Sequence, residues 1–156
     1  SKSFASTGGF IAGDTDTIHY IKHKSRPFIF SAAMPPASVA AVHACLEVIQ
    51  ETPEIFERLW LNARRMKRDL SALGYNTLNS QTPIIPVFIG DDLKAFQFTK
   101  ALYDHGVFAT PVVRPAVAEN HALIRTSYMA THTKEDLDYV VEVFAKLGRQ
   151  FELITH

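Results

Sequence analysis

Apolar residues recur at helical or strand spacing along most of the chain. In its first third, the pattern predicts a short strand at 10–13, a helix at 15–24, an extended apolar segment at 26–31 and a helix at 37–50. The last of these is small and apolar on several sides, which is typical of a helix buried between two layers. We therefore expect its thiol, Cys45, to be buried and inert.

A long amphipathic helix is predicted next, with Thr52 as N-cap, Pro53 at its first position and Gly74 as C-cap. Its apolar stripe consists of Ile55, Leu59, Ala63, Met66, Leu70 and Leu73. The opposite face is basic, and a basic stripe in a chain of balanced charge predicts a solvated face. Its members are Arg58, Arg64, Arg65, Lys67 and Arg68.

Strands alternate with helices in the second half of the chain. Strands are predicted at 83–90, 107–110 and 121–129, and the prolines of the first favour a sheet edge or a strand start. A helix at 92–105 is closed by Gly106, and the last helix begins at Thr133, with Asp136 completing a capping box. The last helix places Leu137, Val140, Val141, Phe144 and Leu147 on one face. This alternation predicts a small α/β domain at 76–156.

Composition narrows the classes of function. The chain has 156 residues, 47% of them hydrophobic, and 16 basic side chains balance 16 acidic ones. No net charge attracts nucleic acid or an acidic membrane, so we expect neither partner. A single cysteine excludes an internal disulfide and indicates a reducing, cytoplasmic location. No apolar run approaches the roughly 20 residues that span a bilayer, so we expect no stable membrane insertion.

The opening residues contain the first candidate for chemistry. Lys2 lies among small residues and is followed by the pair Gly8 and Gly9. A lysine that forms a Schiff base with a flat cofactor needs close backbone approach, which small residues permit. Composition alone predicts only that Lys2 is an exposed, solvated lysine. His19 and His23 are four residues apart but have no evident third ligand, so no metal site is predicted.

Three segments, in chain order, resemble the motifs of one enzyme family. SKSFASTGGFIAG at 1–13 is similar to its lysine motif, RPFIFSAAMPP at 26–36 to its R-P-F-[IL]-[FY]-[ST] motif, and LIRTSYMATHT at 123–133 to its L-[IL]-R-x-[ST] motif. The family is the α-oxoamine synthases, fold type I pyridoxal-phosphate enzymes that join an amino acid to an acyl-CoA with loss of carbon dioxide. The resemblance implies that Lys2 binds pyridoxal 5'-phosphate covalently. It also implies that Ser31 donates to the cofactor phosphate of the neighbouring subunit in a homodimer.

Two arginines are candidates for substrate binding. The resemblance implies that Arg125 binds the substrate carboxylate, for which a guanidinium fork is well shaped. Arg125 lies in an otherwise apolar strand, so we expect a buried charge, with a structural salt bridge as the alternative role. Arg114 lies in a segment similar to the R-P-P-A-T-P loop of bacterial serine palmitoyltransferases, although it is one residue shorter and lacks the second proline. A substrate-binding role for Arg114 rests on that partial match.

The resemblance implies an α/β fold, the C-terminal part of a fold type I transferase. Residues 1–50 would end the large cofactor-binding domain, 51–75 would form the connecting helix and 76–156 the small C-terminal domain. Because the family's stacking histidine, its pyridine-binding aspartate and its main phosphate loop would precede Ser1, we expect the chain to be incomplete.

The implied activity is the condensation of L-serine with palmitoyl-CoA to 3-oxosphinganine, in sphingolipid biosynthesis. Alternatives within the family are glycine C-acetyltransferase and 8-amino-7-oxononanoate synthase. A non-catalytic subunit or interaction module is the alternative from another class, although it would have no need of Lys2 and Arg125.

Overall fold

The computed structural model describes residues 2–155, which divide into one compact unit up to Pro53 and another from Glu54. The first unit is helical. The Asp14 carboxylate caps its first helix by accepting the N–H of Thr17 at 2.9 Å, and this hydrogen bond lowers the pKa of Asp14. Its helices are α1 (Thr15–Lys24), α2 (Arg26–Ile29) and α3 (Pro36–Glu51).

Two secondary-structure predictions for the first unit are wrong. Residues 10–13 form no strand, because no partner strand exists among the described residues of this unit. The segment at 26–31 begins as a helix rather than an extended piece. Ser25 caps it by accepting the N–H of Phe28 at 3.4 Å, and Pro27 lies in the first turn, where its missing N–H is not needed.

Helix α3 begins at Pro36, close to the predicted position, but its predicted burial is wrong. None of its residues is buried, and Cys45 is half-buried. A helix becomes buried only where a second layer covers it. Among the described residues of its own unit, only the two shorter helices α1 and α2 could cover α3.

The second unit contains a three-stranded antiparallel sheet and three long helices. The strands lie in the order β1-β3-β2, so β3 is central and β1, which contains Pro86, is an edge strand as predicted. Helices α4 and α5 pack on the sheet, and α6 packs against both of them. The elements are α4 (Glu54–Ala72), β1 (Ile84–Gly90), α5 (Asp92–Asp104), β2 (Thr110–Val112), β3 (Ala122–Ser127) and α6 (Lys134–Gln150).

Local signals set most helix ends. Gly74 adopts φ +101° and closes α4 in a Schellman motif, in which the Tyr75 N–H donates to Leu70 O at 3.2 Å. The predicted capping box of Thr133 and Asp136 is present at α6. The start of α4 differs from the prediction, because Thr52 is the C-cap of α3 and α4 begins at Glu54.

Strand β2 is shorter than predicted because Val107, the first residue of the predicted strand, takes part in closing α5. The N–H of Val107 donates to Leu102 O at 2.9 Å, which closes α5 and withdraws that N–H from the sheet. Strand β3 ends at Ser127. Just beyond it, the Met129 N–H donates to Nδ1 of His132 at 3.2 Å, which begins a turn.

The hydrophobic core lies in the second unit, between the inner face of the sheet and the helices. Aromatic rings meet edge to face at its centre, with 5.7 Å between the ring centroids of Phe98 and Phe144. The predicted basic face of α4 is only partly solvated, because Arg65 pairs with Asp138 and, at 3.3 Å, with Asp69. None of the helices in the described chain is long and apolar enough to cross a membrane. The largest core side chains are Met66, Leu70, Ile85, Val87, Phe98, Leu102, Ile124, Leu137, Phe144 and Leu147.

Candidate functional site

Lys2 lies in a turn of the first unit. Its carbonyl accepts the N–H of Ala5 at 3.0 Å, and Ala5 takes the left-handed conformation at φ +48°. The side chain of Lys2 is exposed, and none of the carboxylates within residues 2–155 forms an ion pair with it. Its amine is therefore free of any counter-ion in the described structure.

The glycine pair after Lys2 has two different roles. Gly8 adopts φ +118°, so its backbone conformation favours glycine, whereas a Cβ placed there would lie 2.6 Å from Sδ of Met34, whose flexible side chain could shift. A Cβ at Gly9 would meet no atom within 4 Å. Beside this pair is a cavity of about 470 Å³, whose walls include Phe4, Phe10 and Met34. A flat ligand could therefore approach the backbone at Gly9 without a steric clash.

Ser31 follows α2 in the same unit as Lys2. Its N–H donates to Phe28 O at 3.4 Å, and its side chain is exposed. Within the described residues the hydroxyl of Ser31 has no hydrogen-bond partner, so it is available to an acceptor such as a phosphate oxygen.

Arg125 lies at the middle of the central strand β3, in the second unit. Its expected burial is wrong: the side chain is exposed, whereas its neighbours Ile124 and Thr126 are buried. Side chains alternate between the two faces of a strand, and the helices cover only the face of Ile124 and Thr126. Arg125 forms no ion pair with any residue of the described chain, so the structural salt bridge considered as its alternative role is absent there.

Arg114 has a different environment, in the loop between β2 and β3. Its Nε donates to Oδ2 of Asp92 at 3.1 Å, and its Nη1 lies 3.5 Å from Oε1 of Glu119. Asp92 is the first residue of α5. Two carboxylates of its own unit thus neutralise Arg114, which ties the loop to a helix end.

The turn after β3 contains residues that sequence reasoning missed. Asn62 of α4 donates from Nδ2 to Met129 O at 2.9 Å and to His132 O at 3.1 Å. The Tyr128 hydroxyl is buried without a hydrogen-bond partner, and burial raises its pKa to about 12. Tyr128, Met129 and His132 border a cavity of about 630 Å³, which also reaches Ser127. The sequence offered one signal for Asn62, which is that its amide side chain lies beside the apolar stripe of a predicted helix.

The two histidines of α1 stack on each other rather than converging on a third ligand. The ring centroids of His19 and His23 are 4.3 Å apart, and Nδ1 of His23 lies 2.8 Å from His19 O. Among the residues that the structure describes, no group of three or more His, Cys, Asp or Glu side chains could hold a metal ion.

Comparison with protein families gives one match that spans most of the chain. The model of the family described as aminotransferase class I and II matches residues 1–144. The chain belongs to this family. It is 53% identical over 156 residues to serine palmitoyltransferase from Bacteriovorax stolpii, an alignment that covers all of this chain and 37% of that protein. It is 43% identical over 154 residues to 8-amino-7-oxononanoate synthase from Thermoanaerobacter pseudethanolicus, covering 99% of this chain and 39% of that protein.

Solved structures agree with this family membership. A structure of SPT with PLP internal aldimine superposes with a TM-score of 0.91 and 31% identity, over 98% of this chain and 39% of that one. The chain thus spans less than two-fifths of the length of each of these three proteins. The predicted α/β fold, as part of a fold type I enzyme, is confirmed, and so is the resemblance to the α-oxoamine synthases.

Proposed function

We propose that the protein containing this chain is a pyridoxal-phosphate-dependent acyltransferase that condenses L-serine with palmitoyl-CoA to 3-oxosphinganine, releasing carbon dioxide and free CoA. The observation that carries this proposal is Arg125, an exposed guanidinium on the central strand with no counter-ion in the described structure. A cation held in this way can accept the carboxylate of an amino acid. The 53% identity to a serine palmitoyltransferase supports serine as that amino acid.

The residues of the first unit fit the cofactor. Lys2 offers an exposed amine in a turn of small residues, and Ser31 offers an exposed hydroxyl. We propose Lys2 as the residue that holds pyridoxal phosphate covalently and Ser31 as a donor to its phosphate. When bound, the cofactor supplies an electron sink for charge that develops at Cα of the amino acid.

The remaining catalytic work belongs to residues of the chain. The Arg125 guanidinium orients the amino acid by donating two parallel N–H bonds to its carboxylate. The Lys2 amine, once released from the cofactor, accepts the proton from Cα and later returns it. We also propose Arg114 as a second substrate-binding residue, which requires that its ion pairs with Asp92 and Glu119 open first.

We further propose a homodimer whose active site lies at the subunit interface, with Ser31 reaching the cofactor of the neighbouring subunit. Residues 1–50 are assigned to the large domain, 51–75 to the connecting helix and 76–156 to the small domain. A cytoplasmic location is supported by the single cysteine, Cys45, which has no partner within the chain for a disulfide.

A second candidate is 8-amino-7-oxononanoate synthase, which would take another amino acid and another acyl chain. It is favoured by the 43% identity to such an enzyme over nearly the whole chain. Both candidates use Lys2 and Arg125 in the same roles, so only the choice of substrates separates them.

The test is a titration of the full natural protein with pyridoxal phosphate. We expect a visible absorption band, and borohydride reduction should fix the cofactor on Lys2, as located by mass spectrometry of peptides. A Lys2→Ala variant is the control and should give neither result. If the unaltered protein gives no band and no modified peptide, the enzyme proposal fails.

The amino acid is identified by adding L-serine, glycine and L-alanine in turn to the cofactor-loaded protein. L-serine should change the spectrum at the lowest concentration. A response to alanine or glycine but not to serine would exclude the palmitoyltransferase and favour the other candidates.

A further inference from the structure

The sheet face that the helices leave uncovered carries three polar side chains around its centre. Thr110 of β2 is the residue directly opposite Arg125 in the β2–β3 register, and Ser127 is two positions beyond Arg125 on β3. Opposed residues have Cβ atoms about 4.5–5.5 Å apart. Positions i and i+2 on a strand are about 7 Å apart on the same face. The Cβ atoms of the three side chains therefore lie close together on the same face of the sheet.

The fold leaves the hydrogen-bonding capacity of these side chains unused. Within the described residues, the hydroxyls of Thr110 and Ser127 have no hydrogen-bond partner, and all three side chains are exposed. The contrast is Thr126, on the inner face, whose Oγ1 donates to Ile85 O at 2.7 Å. Donors with no internal partner are what a ligand-binding surface requires.

The surroundings favour an anion rather than a cation. None of the three strands contains aspartate or glutamate, and the β1 residue opposite Arg125 is Pro86. A single guanidinium flanked by hydroxyls and apolar side chains is a site for one compact negative group. A carboxylate has about four lone-pair sites, of which a bidentate arginine occupies two.

We propose that Thr110 and Ser127 complete, with Arg125, the binding site for the α-carboxylate of the amino-acid substrate, their hydroxyls donating to the lone pairs that the guanidinium leaves free. This inference rests on the role proposed above for Arg125. Because the carboxylate is common to all α-amino acids, these hydroxyls recognise the class of substrate and contribute equally to the binding of serine and glycine.

The test uses the variants Thr110→Val, which keeps the shape of the side chain, and Ser127→Ala, in the full natural protein loaded with pyridoxal phosphate. Equilibrium dissociation constants are measured by calorimetry for L-serine, glycine and ethanolamine, which is serine without its carboxylate. Each variant should weaken binding of both amino acids about tenfold, the loss expected for one hydrogen bond to a charged group. Binding of ethanolamine should not change.

Two controls separate binding from folding. Thr110→Ser keeps the hydroxyl and should bind like the unaltered protein, and Thr131→Val, at an exposed threonine outside the strands, should also have no effect. The unfolding temperature without ligand should be the same in all variants.

The outcomes distinguish this inference from the proposed function. If Thr110→Val and Ser127→Ala bind L-serine normally while Arg125→Ala does not, the inference is overturned and the proposed function stands. If Arg125→Ala also binds L-serine normally, the role of Arg125 is lost as well. A loss for L-serine but not for glycine would mean that the hydroxyls contact the substrate side chain, which also overturns the inference.

Discussion

The two candidate arginines of the second unit differ in how their charge is neutralised. Arg114 is 56% exposed yet has carboxylates on two sides, Asp92 and Glu119, so its ion pairs are those of a surface loop. Arg125 is exposed on a rigid central strand with no carboxylate paired to it within the described chain. A rigid, unneutralised guanidinium is the better carboxylate site, because no existing ion pair has to break before it binds.

At Arg125, replacement by lysine tests this geometry. Arg125→Lys keeps the positive charge but loses the fork that makes two parallel hydrogen bonds, so we expect the dissociation constant for L-serine to rise about tenfold or more. Arg114→Lys should change it less than threefold, since Arg114 must first leave its own carboxylates. The measurement is a spectral titration of the cofactor-loaded protein. Equal effects at the two positions would show that Arg114 and Arg125 contribute alike to carboxylate binding.

Gly148 is the glycine at which an added Cβ would meet the closest atoms. It lies inside α6, and a Cβ there would overlap Oη of Tyr75 and come within 2.9 Å of Cδ1 of Ile154. The Tyr75 hydroxyl donates to Phe144 O at 2.8 Å in the buried core, so it is not free to move aside.

We therefore expect Gly148→Ala to lower the free energy of unfolding by about 1–3 kcal/mol, the usual cost of overpacking, even though alanine is the better helix former. Urea denaturation monitored by circular dichroism measures the change. In the Tyr75→Phe background the obstructing hydroxyl is gone, so Gly148→Ala should cost less there. Identical costs in the two backgrounds would show that the clash with Tyr75 is not the cause.

At the scale of elements, the link between α4 and α6 depends on pH. Asp138 of α6 accepts from Lys134 Nζ at 2.9 Å and from Arg65 of α4, and these hydrogen bonds lower its pKa from the ordinary 3.8. A carboxylate whose pKa is lower in the folded state stabilises the fold above its unfolded pKa. That contribution is lost as the pH falls through the folded value.

The free energy of unfolding should therefore fall as the pH is lowered below about 4, and Asp138→Asn should flatten part of this fall. Glu142→Gln, in the same helix at an exposed position, is the matched control and should leave the profile unchanged. Urea denaturation at pH values between roughly 2.5 and 6 supplies the measurement. A profile for Asp138→Asn that parallels that of the unaltered protein would exclude this ion pair as a source of acid sensitivity.

Elements with local signals could be predicted from the sequence. The capping box at Thr133 and the glycine that closes α4, Gly74, act within one helical turn, so their residues specify their structure directly. Strands need partners that are distant in sequence, and the predicted strand at 10–13 has none within the described residues of its unit. The burial assumed for Arg125 was wrong although alternation of side chains along β3 indicated the exposed face. The roles of Thr110 and Ser127 depend on strand register, which the sequence alone does not specify.

At the scale of the whole molecule, the two units differ in how much they bury. Among residues 2–155, every buried core residue lies in the second unit. In the first unit, Phe10, Phe28 and Phe30 are 73%, 61% and 80% exposed, and none of its three helices contains a buried residue. Because burial of apolar surface is the main source of stability, the second unit supplies most of the stability of this chain.

We therefore expect residues 54–156 to fold alone with a cooperative thermal transition, whereas residues 1–53 alone should show only weak helicity that declines gradually on heating. Isolated helices of 10 and 16 residues, the lengths of α1 and α3, are marginal in water without tertiary packing. Circular dichroism of the two separate pieces measures both behaviours. Leu70→Ala, which should cost about 2–5 kcal/mol at a fully buried site, is the control and should destabilise only the second piece. A cooperative transition in residues 1–53 alone would show that this unit is stabilised by something other than a buried core.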